Sequence, residues 1–298
     1  MEDKFGSRLL CTGSILNRFF ILTAAHCESQ AKALLGTDLL SNLTVIMGVS
    51  NPIWPHEKII RRHGLIRKVA DFQVHSEYKQ KVAYFDVGLI RLKTEITFRN
   101  NIWPICLSKR ATSNTDEYIG NKPLSIIGYG PLQRDYQGEE PEPLLRSLKV
   151  TGFTFDTCQD KYSAVPKTDD RYDDIATALP NLFQDATVFC AGVEGSNAGT
   201  CGGDSGGAIH GFNQETQQTF IKGLVHGSAS QCDGRRFPPI FINIAHYQIL
   251  SWIFELVFPE TIIEKPKPTS IGKMILILSN AMNFFFQLIS RNLLIVRD

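Results

Sequence analysis

The sequence has almost no excess of charge of either sign, since 31 lysines and arginines face 30 acidic residues and the formal net charge is +1. This balance gives no reason to expect nucleic acid as a partner. Apolar residues make up 43% of the chain and charged residues 20%, as in an ordinary folded protein. With 298 residues, the chain is long enough to bury two hydrophobic cores.

Long amphipathic helical patterns and a visible signal peptide are also lacking. Short apolar runs alternate instead with turn residues, as in Leu124–Gly130, Phe220–Val225 and Pro239–Ile244. This pattern predicts an all-β protein built of barrels. The first residues, Met1–Gly6, contain no hydrophobic core of the signal-peptide type.

A long membrane-spanning run is absent as well. Residues 274–290 are uncharged, but 17 residues lie at the lower edge for a membrane span, and polar side chains interrupt them: Ser279, Asn280, Asn283 and Gln287. The segment Lys265–Pro268 predicts an extended linker before this run. We therefore expect residues 259–298 to form a linker and an apolar tail outside the folded domain, with a membrane anchor as the less favoured alternative.

What the sequence does contain is a glycine-rich motif around one serine, C-G-G-D-S-G-G at Cys201–Gly207. A serine nucleophile needs a base, and the oxyanion formed by its attack needs N–H donors about 3 Å away. We expect Gly203 and Ser205 to supply those donors, because glycine tolerates the backbone conformation that points an N–H inward. A turn in which Ser205 bonds its own backbone is the alternative.

Two further residues complete a possible triad. His26 follows a β-type apolar run and precedes a cysteine, and Asp86 stands at the head of another apolar strand pattern. A buried carboxylate needs a donor, which an imidazole N–H provides. Taken alone, His26 could be a core histidine and Asp86 a turn residue. None of the six other histidines follows a similar apolar run and precedes a cysteine: His56, His63, His75, His210, His226 and His246.

The order His26, Asp86, Ser205 is that of chymotrypsin. The chain resembles the chymotrypsin-like (trypsin-family) serine proteases in T-A-A-H-C at 23–27, D-V-G-L at 86–89 and C-G-G-D-S-G-G at 201–207. Secondary matches include P-I-C-L at 104–107 and F-C-A-G at 189–192. The resemblance covers about residues 5–257.

The resemblance implies a fold of two antiparallel six-stranded β-barrels with the active site between them and a C-terminal helix. We place the protease domain at 1–258, with one barrel at about 1–115, the other at about 116–245 and the helix at about 246–257. It also implies the family mechanism, in which Ser205 attacks the peptide carbonyl, His26 accepts its proton and Asp86 orients the imidazole. No metal or organic cofactor is required.

Seven cysteines favour an oxidising, extracellular compartment. The family pattern implies three disulfides, Cys11–Cys27, Cys158–Cys190 and Cys201–Cys232. Cys106 is left over. In the family such a cysteine often tethers the domain to an upstream light chain or regulatory module, and the alternative is a free buried thiol.

The family's activation step predicts a zymogen-like state for the chain as written. In the family a new Ile or Val amino terminus pairs with the aspartate before the serine, here Asp204. The ten residues before Cys11 contain no I-V-G-G-like segment, and we expect no cationic partner for Asp204 within reach.

Three positions of the family's specificity pocket carry unusual residues. Gly199 stands where trypsins have an aspartate, and Ser228 and Pro239 replace glycines of the pocket walls. These residues favour small or medium apolar substrate side chains over Lys or Arg. His226 lies where the family has a serine that supports the catalytic aspartate, and we expect it to weaken either substrate docking or that support.

Other candidates have simpler interpretations. A basic patch at Lys58–His63 and Arg67–Lys68 is more typical of solvated strand faces than of an anion-binding exosite. The acidic insert Asp169–Asp174 lacks the glycine-spaced pattern of a calcium loop. Asn42 begins an N-glycosylation sequon, N-L-T, which suits a secreted surface loop.

Two functions follow from the sequence. The first is a secreted serine endopeptidase that cuts protein or peptide substrates after an apolar residue. The second is a protease-like binding or regulatory module without turnover, or a zymogen-locked fragment, which His226 and the missing amino terminus favour. The complete triad and Gly203 favour the first.

Overall fold

The computed structural model describes residues 9–36, 39–51, 62–79, 83–131, 144–163, 182–183, 186–227, 232, 234–235, 237–261, 263 and 294–297. These residues form twelve β-strands and five α-helices. The strands are β1 Leu9–Ile15, β2 Phe20–Thr23, β3 Thr44–Met47, β4 Leu65–Val74, β5 Gly88–Leu92, β6 Pro123–Gly128, β7 Arg146–Gly152, β8 Val188–Gly192, β9 Ala208–Asn213, β10 Gln218–Gly227, β11 Ile240–Asn243 and β12 Leu294–Arg297. The helices are α1 His26–Leu35, α2 Leu39–Asn42, α3 Thr115–Ile119, α4 Phe155–Ser163 and α5 Tyr247–Val257.

The strands close into two antiparallel six-stranded barrels, which confirms the predicted fold class. The first barrel has the strand order β1-β12-β3-β4-β5-β2, and the second has the order β10-β11-β8-β7-β6-β9. Closure removes the exposed sheet edges that would otherwise pair with other chains. Each barrel is filled by branched aliphatic side chains, such as Ile15, Ile21 and Ile90 in the first and Ile126 and Ile209 in the second.

The C-terminal tail departs from its expected place. Its strand β12 lies between β1 and β3, with Thr12 opposite Ile295 and Ile46 also opposite Ile295. We expected the tail to lie outside the domain because the family resemblance ends at about residue 257 and the segment Lys265–Pro268 predicts an extended linker. The strand has only four residues, three apolar ones followed by an arginine, which is too short a pattern to predict pairing with a strand almost 300 residues away.

One apolar cluster joins the two barrels to each other. It contains Leu22 of β2 and Leu89 of β5, together with Ile221 and Leu224 of β10. Helix α5 adds its buried face to the same cluster with Ile249, Leu250, Ile253, Phe254 and Val257, at the i, i+1, i+4 spacing of an amphipathic helix. This shared core fixes the barrels relative to each other, and with them the residues that lie between them.

Three disulfides connect the pairs that the resemblance implied, Cys11–Cys27, Cys158–Cys190 and Cys201–Cys232. The first joins β1 to the first turn of α1, next to His26. A bridge that closes a loop of this length stabilises the fold by about 3 kcal/mol in the chain-entropy model.

Several surface predictions fall outside the described residues: Lys58–Arg61 of the basic patch, the acidic insert 169–174 and the apolar run 274–290. Asn42 is exposed at the end of α2, and its glycosylation stays a prediction. Within the described part of the chain, no helix combines the length and the apolar character that a membrane crossing requires.

His210 makes the stability of the second barrel depend on pH. It lies on β9, and its Nδ1 is buried without a partner among the described residues. Burial lowers the pKa of His210 to about 4. An unfolded chain has a histidine pKa of about 6.5, so between these values the unfolded state binds more protons and stability falls as the pH falls.

We therefore expect acidification from pH 7.5 to 4.5 to cost up to roughly 3 kcal/mol of folding free energy through His210. His210→Leu should lose this part of the pH dependence, measured by urea unfolding at the two pH values. His63→Leu, at an exposed histidine, is the matched control and should keep it. Equal pH dependence of the two variants would contradict the assignment.

Candidate active site

His26 is fixed by its backbone as well as by its ring. It begins α1 directly after β2, and its backbone N–H donates to Asp86 Oδ1 at 2.8 Å. Its ring Nδ1 lies 2.6 Å from Asp86 Oδ2. The two oxygens of one carboxylate therefore hold both the start of the helix and the orientation of the imidazole.

Asp86 is completely buried, and the chain reaches it through a tight turn. Phe85 has φ +55°, and the N–H of Val87 bonds back to the Phe85 carbonyl just before β5 begins. Burial by itself would raise the pKa of Asp86, but the charges and hydrogen bonds of His26 and His226 outweigh it and hold that pKa well below its usual range. The carboxylate is therefore ionised.

His226 is the residue whose role the sequence did not reveal. Its Nδ1 lies 2.6 Å from the same oxygen, Asp86 Oδ2, and its ring meets that of His26 edge-on with centroids 5.6 Å apart. We expected His226 to weaken either substrate docking or the support of Asp86. The structure instead places its Nδ1 in direct contact with that carboxylate, and its effect on substrate docking stays a prediction. The sequence indicated this contact only through the position of His226 at the end of β10, where the family has a serine that supports the catalytic aspartate.

An ionised carboxylate only accepts hydrogen bonds, so both imidazoles must donate from Nδ1. In a neutral imidazole the other nitrogen, Nε2, is then an acceptor. Burial lowers the pKa of His26, but the charge and hydrogen bond of Asp86 outweigh this effect and raise it overall. The site thus contains two imidazoles with the same tautomer, both held by one carboxylate.

The loop that carries Ser205 is attached to both barrels. The Ser205 carbonyl accepts from the N–H of Thr12 in β1 at 2.9 Å, and the Gly206 N–H donates to Val225 in β10 at 2.8 Å. Gly206 has φ +76°, and a Cβ there would lie 2.1 Å from Thr23 Oγ1. Glycine at this position therefore lets the serine loop pack against the end of β2, three residues before His26.

Gly203 also has a conformation that favours glycine, with φ +94°. Its carbonyl accepts from Thr12 Oγ1 at 2.7 Å, which fixes the peptide plane. Among the hydrogen bonds of the described residues, neither the Gly203 N–H nor the Ser205 N–H has an acceptor. Both N–H groups belong to one loop, and their role as oxyanion donors stays a prediction.

Asp204 turns inward, and its carboxylate has partners that we did not expect. It accepts from the N–H groups of Gly130 at 2.7 Å and Cys201 at 2.9 Å. Burial raises the pKa of Asp204, while these two bonds and the charge of Arg146 act in the opposite direction. A side chain at Gly130 would collide with this carboxylate, since a Cβ would lie 2.4 Å from Oδ2.

The predicted pocket residues are only partly described. Gly199 is half-buried, and its Cα lies 3.3 Å from the place of a Cβ on Gly234. Pro239 is buried before β11 and its carbonyl accepts from the Ala191 N–H of β8 at 3.3 Å. Ser228 lies outside the described residues. The role of all three in specificity stays a prediction.

Cys106 is half-buried and unpaired in the described part of the chain. Its backbone bonds to β10, where the Ile221 N–H donates to the Cys106 carbonyl at 3.0 Å. Burial raises the pKa of the Cys106 thiol, which disfavours the reactive thiolate. The predicted tether to an upstream light chain stays a prediction.

Comparison with known proteins agrees with this geometry. The family model described as Trypsin matches residues 2–253. The clotting factor G beta subunit of Tachypleus tridentatus is 26% identical over 255 residues, which are 86% of this chain and 73% of that protein. Coagulation factor XI of Bos taurus is 25% identical over 251 residues, which are 83% of this chain but 33% of that protein. With a family match over most of its length, the chain belongs to the trypsin family of chymotrypsin-like serine proteases.

Proposed function

We propose that this protein is a serine endopeptidase that uses His26, Asp86 and Ser205. The proposal rests on the two hydrogen bonds by which Asp86 fixes His26, one from its backbone N–H and one from its Nδ1. These two bonds leave Nε2 as the basic nitrogen. The Ser205 loop packs at Gly206 against the end of β2, three residues before His26.

In the proposed reaction, Ser205 Oγ attacks the carbonyl carbon of the peptide bond while His26 Nε2 accepts its proton. The negative charge moves to the carbonyl oxygen, where the N–H groups of Gly203 and Ser205 donate to it. His26 then returns the proton to the leaving amine, and water completes the hydrolysis of the acyl-enzyme. Asp86 stabilises the imidazolium that exists between these steps.

The hydrogen bond from His226 to Asp86 favours a catalytic site over a protease-like module without turnover. Hydrogen bonds to a charged group contribute about 1.5–3 kcal/mol each, so a second imidazole on Asp86 strengthens the ionised state that the base requires. The donors on Asp204 also favour an ordered oxyanion loop, because that carboxylate fixes Gly130 and Cys201 on either side.

We propose secretion and protein or peptide substrates on separate grounds. The three disulfides suit an oxidising compartment. Two relatives carry names of clotting factors, which supports an extracellular protease.

Replacing the nucleophile tests the proposed mechanism. Ser205→Ala should abolish labelling by a fluorophosphonate probe and lower peptide hydrolysis by several orders of magnitude, because only binding and oxyanion stabilisation remain. Ser108→Ala changes a serine on the connection between the barrels and should label as the parent does. Labelling of Ser205→Ala at the parent rate would contradict the mechanism. Absence of labelling in the parent would favour one of the two alternatives, the binding or regulatory module or the zymogen-locked fragment.

We also propose that the substrate residue before the cleaved bond is small or medium and apolar, because Gly199 offers no counter-charge. In a peptide panel that varies this residue, Ala, Val and Leu should be cleaved faster than Arg and Lys, since an unpaired buried cation is costly. Gly199→Asp should shift the preference towards Arg and Lys. Asn197→Asp adds the same charge two residues away at an exposed position and should leave the preference unchanged. A dominant Arg preference in the parent would refute the assignment.

A further inference from the structure

Two imidazoles around one carboxylate oxygen make a set of metal ligands. One ligand atom each from His26, Asp86 and His226 lies within 4.8 Å of the other two. A second grouping among the described residues contains Cys11 and Cys27, whose sulfurs are joined in a disulfide and cannot act as thiolate ligands. The histidine–carboxylate set is therefore the candidate with chemically available ligands.

Its donors suit zinc. Zn²⁺ in proteins takes imidazole nitrogens at about 2.0–2.1 Å and carboxylate oxygens at about 2.0–2.2 Å, and sites with two histidines and one carboxylate leave a further position open. Metal ligands are also oriented by hydrogen bonds to other groups of the protein. Here Asp86 Oδ1 is held by the His26 N–H, so Oδ2 has a fixed position.

A metal ion would reach the three ligands past the two histidine rings, which are partly exposed. Asp86 is fully buried, but the side chains of His26 and His226 are 16% and 22% exposed. Ligand atoms around a tetrahedral zinc lie about 3.3 Å apart, against 2.6 Å between each Nδ1 and Oδ2 here. Each ring must therefore withdraw from Oδ2 by less than about 1 Å to admit the metal.

We propose that His26, Asp86 and His226 form a Zn²⁺ site, and that zinc binding reversibly removes His26 as a catalytic base. The binding part stands on the three side chains alone, whereas the inhibitory part rests on the proposed function.

The inhibition follows from the tautomers. Without metal, both neutral rings carry their proton on Nδ1, which donates to Asp86. Zinc takes the Nδ1 lone pair, and the proton of each ring passes through water to Nε2, so that neither ring gains or loses a proton overall. His26 Nε2 then carries a hydrogen and cannot accept the proton of Ser205.

Calorimetry tests the binding part without any need for catalysis. ZnCl₂ is titrated into the Ser205→Ala chain, which keeps the three ligands and cannot digest itself. We expect one zinc per chain, and His226→Ser in the same background should weaken binding by about tenfold or more. His63→Ser, at an exposed histidine outside the site, is the control and should bind as the parent does. Absent zinc binding, or equal affinity in the His226→Ser variant, would overturn the proposal.

Probe labelling tests the inhibitory part in the chain that retains Ser205. Saturating ZnCl₂ should lower the rate of fluorophosphonate labelling by about tenfold or more, and EDTA should restore it. For His226→Ser, the same zinc concentration should change the rate far less, relative to that variant's own rate without zinc. Unchanged labelling of zinc-bound parent would overturn the inhibitory part. A parent that never labels would instead refute the proposed endopeptidase, while calorimetry would still decide whether zinc binds.

Discussion

The buried carboxylate of Asp86 is the constraint around which the site is built. A fully buried negative charge is stable in a protein only when donors surround it. Asp86 receives three, from the backbone and ring of His26 and from the ring of His226. These bonds connect the start of α1 in the first barrel to the end of β10 in the second, so the charge holds the two barrels together at the place where chemistry is proposed.

The serine loop depends on the same arrangement. β1 bonds to it through Thr12, β10 bonds to it through Val225, and Gly206 allows it to approach Thr23 without a clash. Because β10 also carries His226, the strand that positions the nucleophile loop positions the second imidazole. The apolar cluster shared by the barrels fixes the positions of the serine loop and of His226 relative to His26.

Much of the fold and the site was predictable because its chemistry requires particular residues at particular places. The glycine at 203 was expected for a special backbone conformation and has a positive φ angle, and the family resemblance implied the three disulfides that the structure contains. The strand β12 was not predictable, because a run of four residues carries no information about a partner so far away in sequence. The donors on Asp204 were missed because nearly every residue carries a backbone N–H, so the sequence does not indicate that the N–H of Gly130 is the one that reaches a carboxylate 74 residues away.

The most direct measurement of the central claim is the tautomer of the two histidines. Nitrogen-15 NMR of the histidine-labelled chain in EDTA, at a pH where both rings are neutral, reports which nitrogen carries hydrogen. His26→Gln and His226→Gln would assign the two signals. The account predicts the Nδ1–H tautomer for both His26 and His226, because both donate to Asp86. An Nε2–H tautomer for either ring would contradict it.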